Sequence, residues 1–428
     1  MSENKDENEV KNESHYLCIR KMCSPFGWTN DPNIVGYVLY EAGARVTTYN
    51  FAIFSSLLIN DLGDQAYGDG NGKVLWGYVT TAYAITTVFS YLAIVSLVEY
   101  EDFKRTCLIK CGMLAGILHL LYIFCFSGGS VYLAMILVVL AKTLVRICDV
   151  AFDSMLDSIS ATIDSFKIGV DTHQVSLRAS ITGYLGMLGF LFFVIPVLAI
   201  IYGINKKVSS FLFKPLLNFH NQHTQIQISS LWLQSLVPIF CIGIWYLSVL
   251  RVVSILLPIN ALRGPKSPLK KDENYLSLLY QALRIGSTEQ LNNLTYIQTL
   301  PDLGLFLLAL IFLQGGAATA QGVAIILATD ELDLSLAVVG AAGLVGIISA
   351  IIGTFFFKYL HKIDWLRPIQ IIFVNIGVLI LCALFVLIVY HTVDVFILAI
   401  VSGFQVGSIG AFMRSIVSSL TPHSRQTR

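Results

Sequence analysis

Residues 131–153 read VYLAMILVVLAKTLVRICDVAFD. The stretch is apolar for the roughly 20 residues that a helix needs to cross a bilayer. Yet it carries Lys142, Arg146, Asp149 and Asp153, at steps of four, three and four. On a helix that spacing forms one stripe. An ionisable group inside a span costs about 2.5–3.5 kcal/mol on insertion scales, so it turns toward a cavity or a partner. The stretch therefore reads as a membrane helix with a polar lining.

The same hydropathy recurs along the chain. Windows of spanning length lie at about 35–59, 74–98, 107–127, 131–152, 179–203, 231–257, 303–328, 336–359, 368–390 and 393–417. The runs are too long and uniform for the alternating strands of a barrel, which leaves helices. Composition agrees: 55% of the 428 residues are hydrophobic and 13% are charged, against roughly 25% charged in soluble domains. The expected architecture is an all-α membrane protein, a bundle of about ten transmembrane helices embedded in the lipid bilayer. A net charge of +1 offers nothing to nucleic acid.

Loop charges predict the orientation. The N-tail, the C-tail and the loops after spans 2, 4, 6 and 8 hold roughly seventeen basic residues, against about four on the other side. Both termini are thus expected in the cytoplasm. The chain divides into a disordered tail at 1–33, a six-helix half at 34–257, a basic loop at 258–301 and an incomplete second half of four helices at 302–428. Within the loop, YLSLLYQALRIGSTEQL has apolar residues at helical spacing and can lie on the membrane surface. A basic central loop after six spans is the layout of two-halved transporters, which bind solute at the midplane between the halves.

The charged residues inside spans are the candidate substrate pathway. Glu41 and Arg45 stand four apart and can pair on one helix face. With Lys142, Arg146 and Asp149 they supply both signs of charge. Arg45 and Arg146 can hold a carboxylate by bidentate bonds; Glu41 and Asp149 can hold an ammonium or a coupling proton. Equally, each cluster can be a closed salt bridge that locks spans 1 and 4 together. Lys110, Arg251 and Lys358 sit near span ends, where long side chains snorkel to the interface. Arg414 completes the basic residues within spans. Gly183, Gly186 and Gly189 recur every third residue in span 5 and predict close helix packing; Gly315, Gly316 and Gly322 in span 7 and Gly403, Gly407 and Gly410 in span 10 predict the same.

Enzyme motifs are missing. There is no phosphate-cradling glycine loop, no His-x-x-x-His metal spacing and no nucleophile elbow, so neither catalysis nor a cofactor is expected. Of the eight cysteines, Cys107, Cys111, Cys125, Cys148, Cys241 and Cys382 lie in or beside apolar runs and read as small hydrophobes.

Specific strings resemble the vacuole effluxer family, autophagy-related proteins that form a branch of the major facilitator superfamily. SLVEYEDFKRTCL after span 2 looks like the family's acidic-then-basic loop, with Glu99, Lys104 and Arg105 in place. VSLRASITGYLG entering span 5 supplies Ser176, Arg178, Gly183 and Tyr184. GIWYLSVLRVVSILLP ends span 6 with the pair Trp245 and Tyr246. GAFMRSIVSSLTP in span 10 supplies Arg414, Ser415, Leu420 and Pro422. The resemblance implies efflux of large neutral amino acids from the vacuole or lysosome to the cytosol, with Glu99, Lys104 and Arg105 gating access. In the family two further helices follow span 10, so the second half reads as lacking its last two. A different small solute for a major facilitator, or a membrane scaffold, would fit the spans as well.

Overall fold

The computed structural model describes residues 32–50, 54–94, 103–125, 128–166, 172–208, 236–257, 275–326 and 336–420, with positions 98, 100, 332 and 334. Glu99 and the N-tail before Pro32 fall outside these. Every regular element among the described residues is helical. The order is α1 (Pro32–Asn50), α2 (Ser56–Tyr67), α3 (Asn71–Ile94), α4 (Phe103–Leu121), α5 (Val131–Phe166), α6 (Thr172–Val208), α7 (Val237–Leu256), α8 (Tyr275–Ile297), α9 (Pro301–Ile326), α10 (Leu336–Lys362), α11 (Pro368–Val386) and α12 (Thr392–Leu420).

Each expected span falls on a helix, with α1 and α2 sharing the first. Seven described helices are long and apolar enough to cross a membrane: α4 to α7 and α10 to α12. The expected count of ten includes α1–α2, α3 and α9 as well. α1 carries Glu41 and Arg45, and α3 is rich in threonine and tyrosine, which lowers their hydropathy. α8 and the start of α9 meet at 114°. Boundaries differ where polar turns continue a helix. α5 runs to Phe166, so its 36 residues extend about 54 Å, well past the hydrocarbon core. α2 runs to Tyr67 because Leu58, Ile59 and Leu62 are fully buried against Tyr122 and Ile239.

The first half wraps around α1, which lies between α6 and α7. α4 packs on α5 and α7, and α3 on α2 and α5. At the end of the bundle that bears the tails, Tyr37, Tyr40, Cys148, Phe152, Met155 and Tyr246 form one core. In the second half α10 and α12 form the central pair and α11 covers α12. α6 joins the halves by packing on both α10 and α12. Leu177 of α6 is buried among Phe357, Leu360, Ile371 and Phe412 of the second half.

Small residues set these crossings. A Cβ on Gly186 would lie 2.5 Å from the Cα and carbonyl oxygen of Ala42 in α1. A Cβ on Gly183 would lie 2.6 Å from Cγ of Arg45, and one on Gly189 only 3.4 Å from the Trp245 ring. Trp245 then donates its Nε1–H to the Ala42 carbonyl at 3.2 Å. The α10–α12 pair repeats the device: Cβ atoms on Gly353, Gly403 and Gly407 would overlap the carbonyl oxygens of Phe404, Gly346 and Ala350. Span 7 departs from the expectation, since Gly316 has open space around it; the side chains at 315 and 322 lie outside the described ones. The central-loop helix α8 docks on the end of α3, where Gly286 meets the Leu92 carbonyl and Tyr100 donates to Glu289 at 3.0 Å.

Gly186→Ala should therefore cost about 1–3 kcal/mol through overpacking, whereas Gly377→Ala, at a site open for 4 Å, should be neutral or slightly stabilising. Thermal unfolding of the two purified variants in detergent measures the difference.

Candidate functional site

The i, i+4 pair on α1 forms as its spacing requires: Arg45 donates from Nε to Glu41 Oε2 at 3.0 Å. Its surroundings were not legible from α1 alone. Glu41 is buried, and its second oxygen accepts from Arg414 Nη2 of α12 at 2.8 Å. Arg414 Nη1 also faces Asp153 Oδ1 of α5 at 3.6 Å. The result is a chain of alternating charge, Arg45–Glu41–Arg414–Asp153, drawn from α1, α5 and α12. It crosses from the first half to the second. Its charges sum to zero, which is what lets so many ions leave water together.

Aromatic rings and glycines house the chain. The Arg414 guanidinium lies 5.7 Å from the Phe152 ring centre, and Arg45 lies 5.2 Å from that of Tyr184. Both distances suit cation–π attraction. Phe152 stacks on Tyr37 at 4.0 Å, which fixes its face toward Arg414. Gly183 leaves room for the Arg45 stem, and a Cβ on Gly410 of α12 would lie 3.9 Å from Arg45 Nη2. Gly183 thus serves the charge chain as well as helix packing. Two further bonds cross the same seam. Ser176 donates to the Ala411 carbonyl and Tyr184 to the Val406 carbonyl, each at 3.3 Å.

The α5 stripe divides between two partners. Arg146 donates to Asp149 Oδ2 at 3.3 Å and to the Tyr83 hydroxyl of α3 at 2.9 Å. One turn earlier Lys142 is buried, and Thr143 bonds Thr86 of α3 at 3.0 Å. Asp153, the last member, turns to Arg414 instead. The described bonds of Arg146 therefore tie spans 4 and 2, while Glu41 of span 1 pairs with span 10. Arg146 keeps 42% of its side-chain surface exposed, so its guanidinium has an edge to offer.

The basic pair expected to gate access sits at the start of α4. Lys104 donates to the Ser154 carbonyl of α5 at 3.1 Å. Arg105 donates to the carbonyls of Ser254, at 3.0 Å, and of Leu257, at the C-terminus of α7. Helix ends leave such carbonyls without partners, and a cation there also meets the negative end of the helix dipole. These bonds tie three helices of the first half together. Among the described residues no group of three or more His, Cys, Asp or Glu side chains is placed to hold a metal ion.

The sequence puts Arg414 among the charges in spans without indicating its partner. A signal was present. Arg414 has no acid three or four residues away on its own helix, so an in-span cation there must look to another helix.

The fold is similar to that of a known transporter. The structure matches the major facilitator superfamily proton:xylose symporter XylE, bound to 6-bromo-6-deoxy-D-glucose, with a TM-score of 0.54 at 12% sequence identity. The match covers 92% of this chain and 82% of that one. No curated protein sequence matches this chain. The family model described as "Vacuole effluxer Atg22 like" matches residues 75–428, which includes the α4 to α12 framework and Arg414. With most of its length matched by that model and its helices laid out as in the superfamily, this chain belongs to the Atg22-like vacuole effluxer family of membrane transporters.

Proposed function

We propose that this transporter exports large neutral amino acids from the vacuole or lysosome to the cytosol by alternating access. The observation that carries the reading is the charge chain Arg45–Glu41–Arg414–Asp153 across the two halves. An amino acid carries a carboxylate and an ammonium on one carbon. It needs an arginine and an acid close together, and this chain provides alternating ones. Arg146 with Asp149 provides a second such pair, and Lys142 adds positive charge beside it.

On this reading the structure is the state closed at the tail-bearing end, where α1 begins and α5 and α12 end. Loop charge supports a cytoplasmic position for that end, and the site would then open to the lumen. Glu41–Arg414 and Arg414–Asp153 join the halves only while the seam is shut. Charge-assisted bonds contribute about 1.5–3 kcal/mol each. Glu41–Arg414 is a buried bond of that kind, whereas Arg414–Asp153, at 3.6 Å to a largely exposed carboxylate, adds about 0–1 kcal/mol; together they supply part of the roughly 5.5 kcal/mol that swings a two-state equilibrium from 1:99 to 99:1. A solute that competes for Glu41 or Arg414 would loosen the closed seam as it binds, which couples binding to opening. Glu41, Asp149 and Asp153 are the places where a coupling proton would sit.

Vesicles loaded with unlabelled leucine or tyrosine should take up radiolabelled leucine by counterflow, and vesicles loaded with xylose should not. Absence of counterflow with every neutral amino acid would overturn the amino-acid reading while leaving a carrier of another solute.

Arg414→Gln should lower exchange at least about tenfold and raise tail-side labelling of a cysteine placed at Ser180, as the seam loses two charge-assisted pairs. It leaves the Glu41 carboxylate under-compensated, so protein yield should drop too; Glu41→Gln with Arg414→Gln should restore yield but not the closed seam. Unchanged labelling in both variants would show that the chain is no gate. Arg146→Ala should abolish exchange with membrane levels nearly intact; disappearance of the protein would make Arg146 purely structural.

A further inference from the structure

The seam has a second charged contact, which the transport reading does not use. Arg178, two residues beyond Ser176 on α6, has its Nη1 buried without a hydrogen-bond partner among the described residues. Its neighbour Leu177 is packed against Phe357 and Leu360 of α10. That brings Arg178 to the last turns of α10, where Lys358 feels the charges of both Arg178 and Lys362. Lys358 is half-buried and Lys362 exposed. Among the described residues no acidic side chain pairs with any of the three; Asp364, in the turn after α10, is exposed. Nearby, His361 turns its Nδ1 toward the Leu366 carbonyl at 3.4 Å, and Arg367 adds a further exposed cation.

Like charges facing each other across a closed contact oppose its closure. A buried guanidinium N–H without an acceptor is an unmet demand, and natural proteins leave few of them. Both costs vanish if an anion bridges the helices. Three cations at one site, one of them a planar fork, suit a phosphate group better than a single carboxylate or chloride. The contact lies at the tail-bearing ends of both helices, within reach of lipid headgroups and of solutes on that side.

We propose that Arg178, Lys358 and Lys362 form a phosphate-binding site across the α6–α10 seam, and that a phosphate group bound there stabilises the tail-closed state. The site acts on the seam whatever solute is carried. Its occupant is the phosphomonoester of an anionic lipid headgroup or a soluble phosphate, not the choline-capped diester of phosphatidylcholine, and the two differ in how they reach it.

The test uses the purified full chain in phosphatidylcholine nanodiscs, with thermal unfolding followed by tryptophan fluorescence. Inorganic phosphate is titrated at constant ionic strength against chloride. A second series replaces it with nanodiscs containing a phosphatidylinositol phosphate. A saturable rise in melting temperature with free phosphate identifies a soluble occupant; a rise only with the lipid identifies a headgroup. In either case Arg178→Gln should weaken the apparent affinity at least about tenfold, the effect of losing a charge-assisted pair. Lys358→Gln, at a half-buried position, should do the same if Arg178→Gln proves too unstable to purify. No stabilisation in either series, or equal stabilisation of wild type and variants, overturns the site. Neither outcome bears on leucine counterflow, so the two proposals fail separately.

Discussion

A buried glutamate shared by arginines from opposite halves governs the rest of this architecture. Glu41 is buried away from bulk solvent, so both of its oxygens must be met. Arg45 meets one from the same helix, and Arg414 meets the other from across the seam. The local bond survives any rigid movement of the halves, because it lies within α1. The distant one does not. Opening the seam hands one carboxylate oxygen to whatever else can donate to it. That asymmetry makes Glu41 sensitive both to the arrangement of the halves and to what lies between them.

The placing of glycines reinforces the same division. Within each half, contacts that leave no room for a side chain set the backbones: Gly186 against Ala42, and Gly353, Gly403 and Gly407 against facing carbonyls. Such contacts are short-ranged and have one good geometry. Between the halves, the polar contacts of the described residues come from side chains: Ser176 and Tyr184 to α12 carbonyls, and Arg414 to acids. Side-chain bonds can be broken and remade with other partners at modest cost. Rigid halves with an exchangeable seam are what alternating access requires. Lys104 and Arg105 fit the rigid side of this division, since their described bonds bind α4 to α5 and α7 of one half. α8 likewise fastens the central loop to α3 of the first half.

What the sequence made legible follows from the range of each signal. Apolar runs, the i, i+4 pair Glu41–Arg45, the Arg146–Asp149 pair and the glycine triplet of α6 are local patterns, and each appears in the structure where its period places it. Helix ends were less legible. α2 and α5 continue past their apolar windows because an intrahelical hydrogen bond does not depend on hydropathy. Least legible was the partner of Arg414. Glu41 and Arg414 lie at nearly opposite ends of the chain, and no periodicity links them. The α5 stripe shows the same limit in miniature. Its spacing put Asp153 on one face with Asp149, but only packing reveals that α3 takes Arg146 and α12 claims Asp153.

Arg178 and Arg414 sit at one seam under opposite electrostatic conditions. Arg414 faces two acids and an aromatic ring, and its closed state is self-sufficient. Arg178 lies near the cations of α10, and the described residues offer its closed state no anion. If only the first contact existed, closure would be set by the protein and its solute alone. With the second, closure also depends on a charge that the described residues do not provide. A binding partner can shift a two-state equilibrium only by the difference in its affinity for the two states. A phosphate that bridges α6 and α10 has that difference by construction, because opening separates its ligands. With both proposed roles, the electrostatics of the seam would give the transporter two inputs: the solute, through Glu41 and Arg414, and an anion on the tail-bearing side, through Arg178 and Lys358.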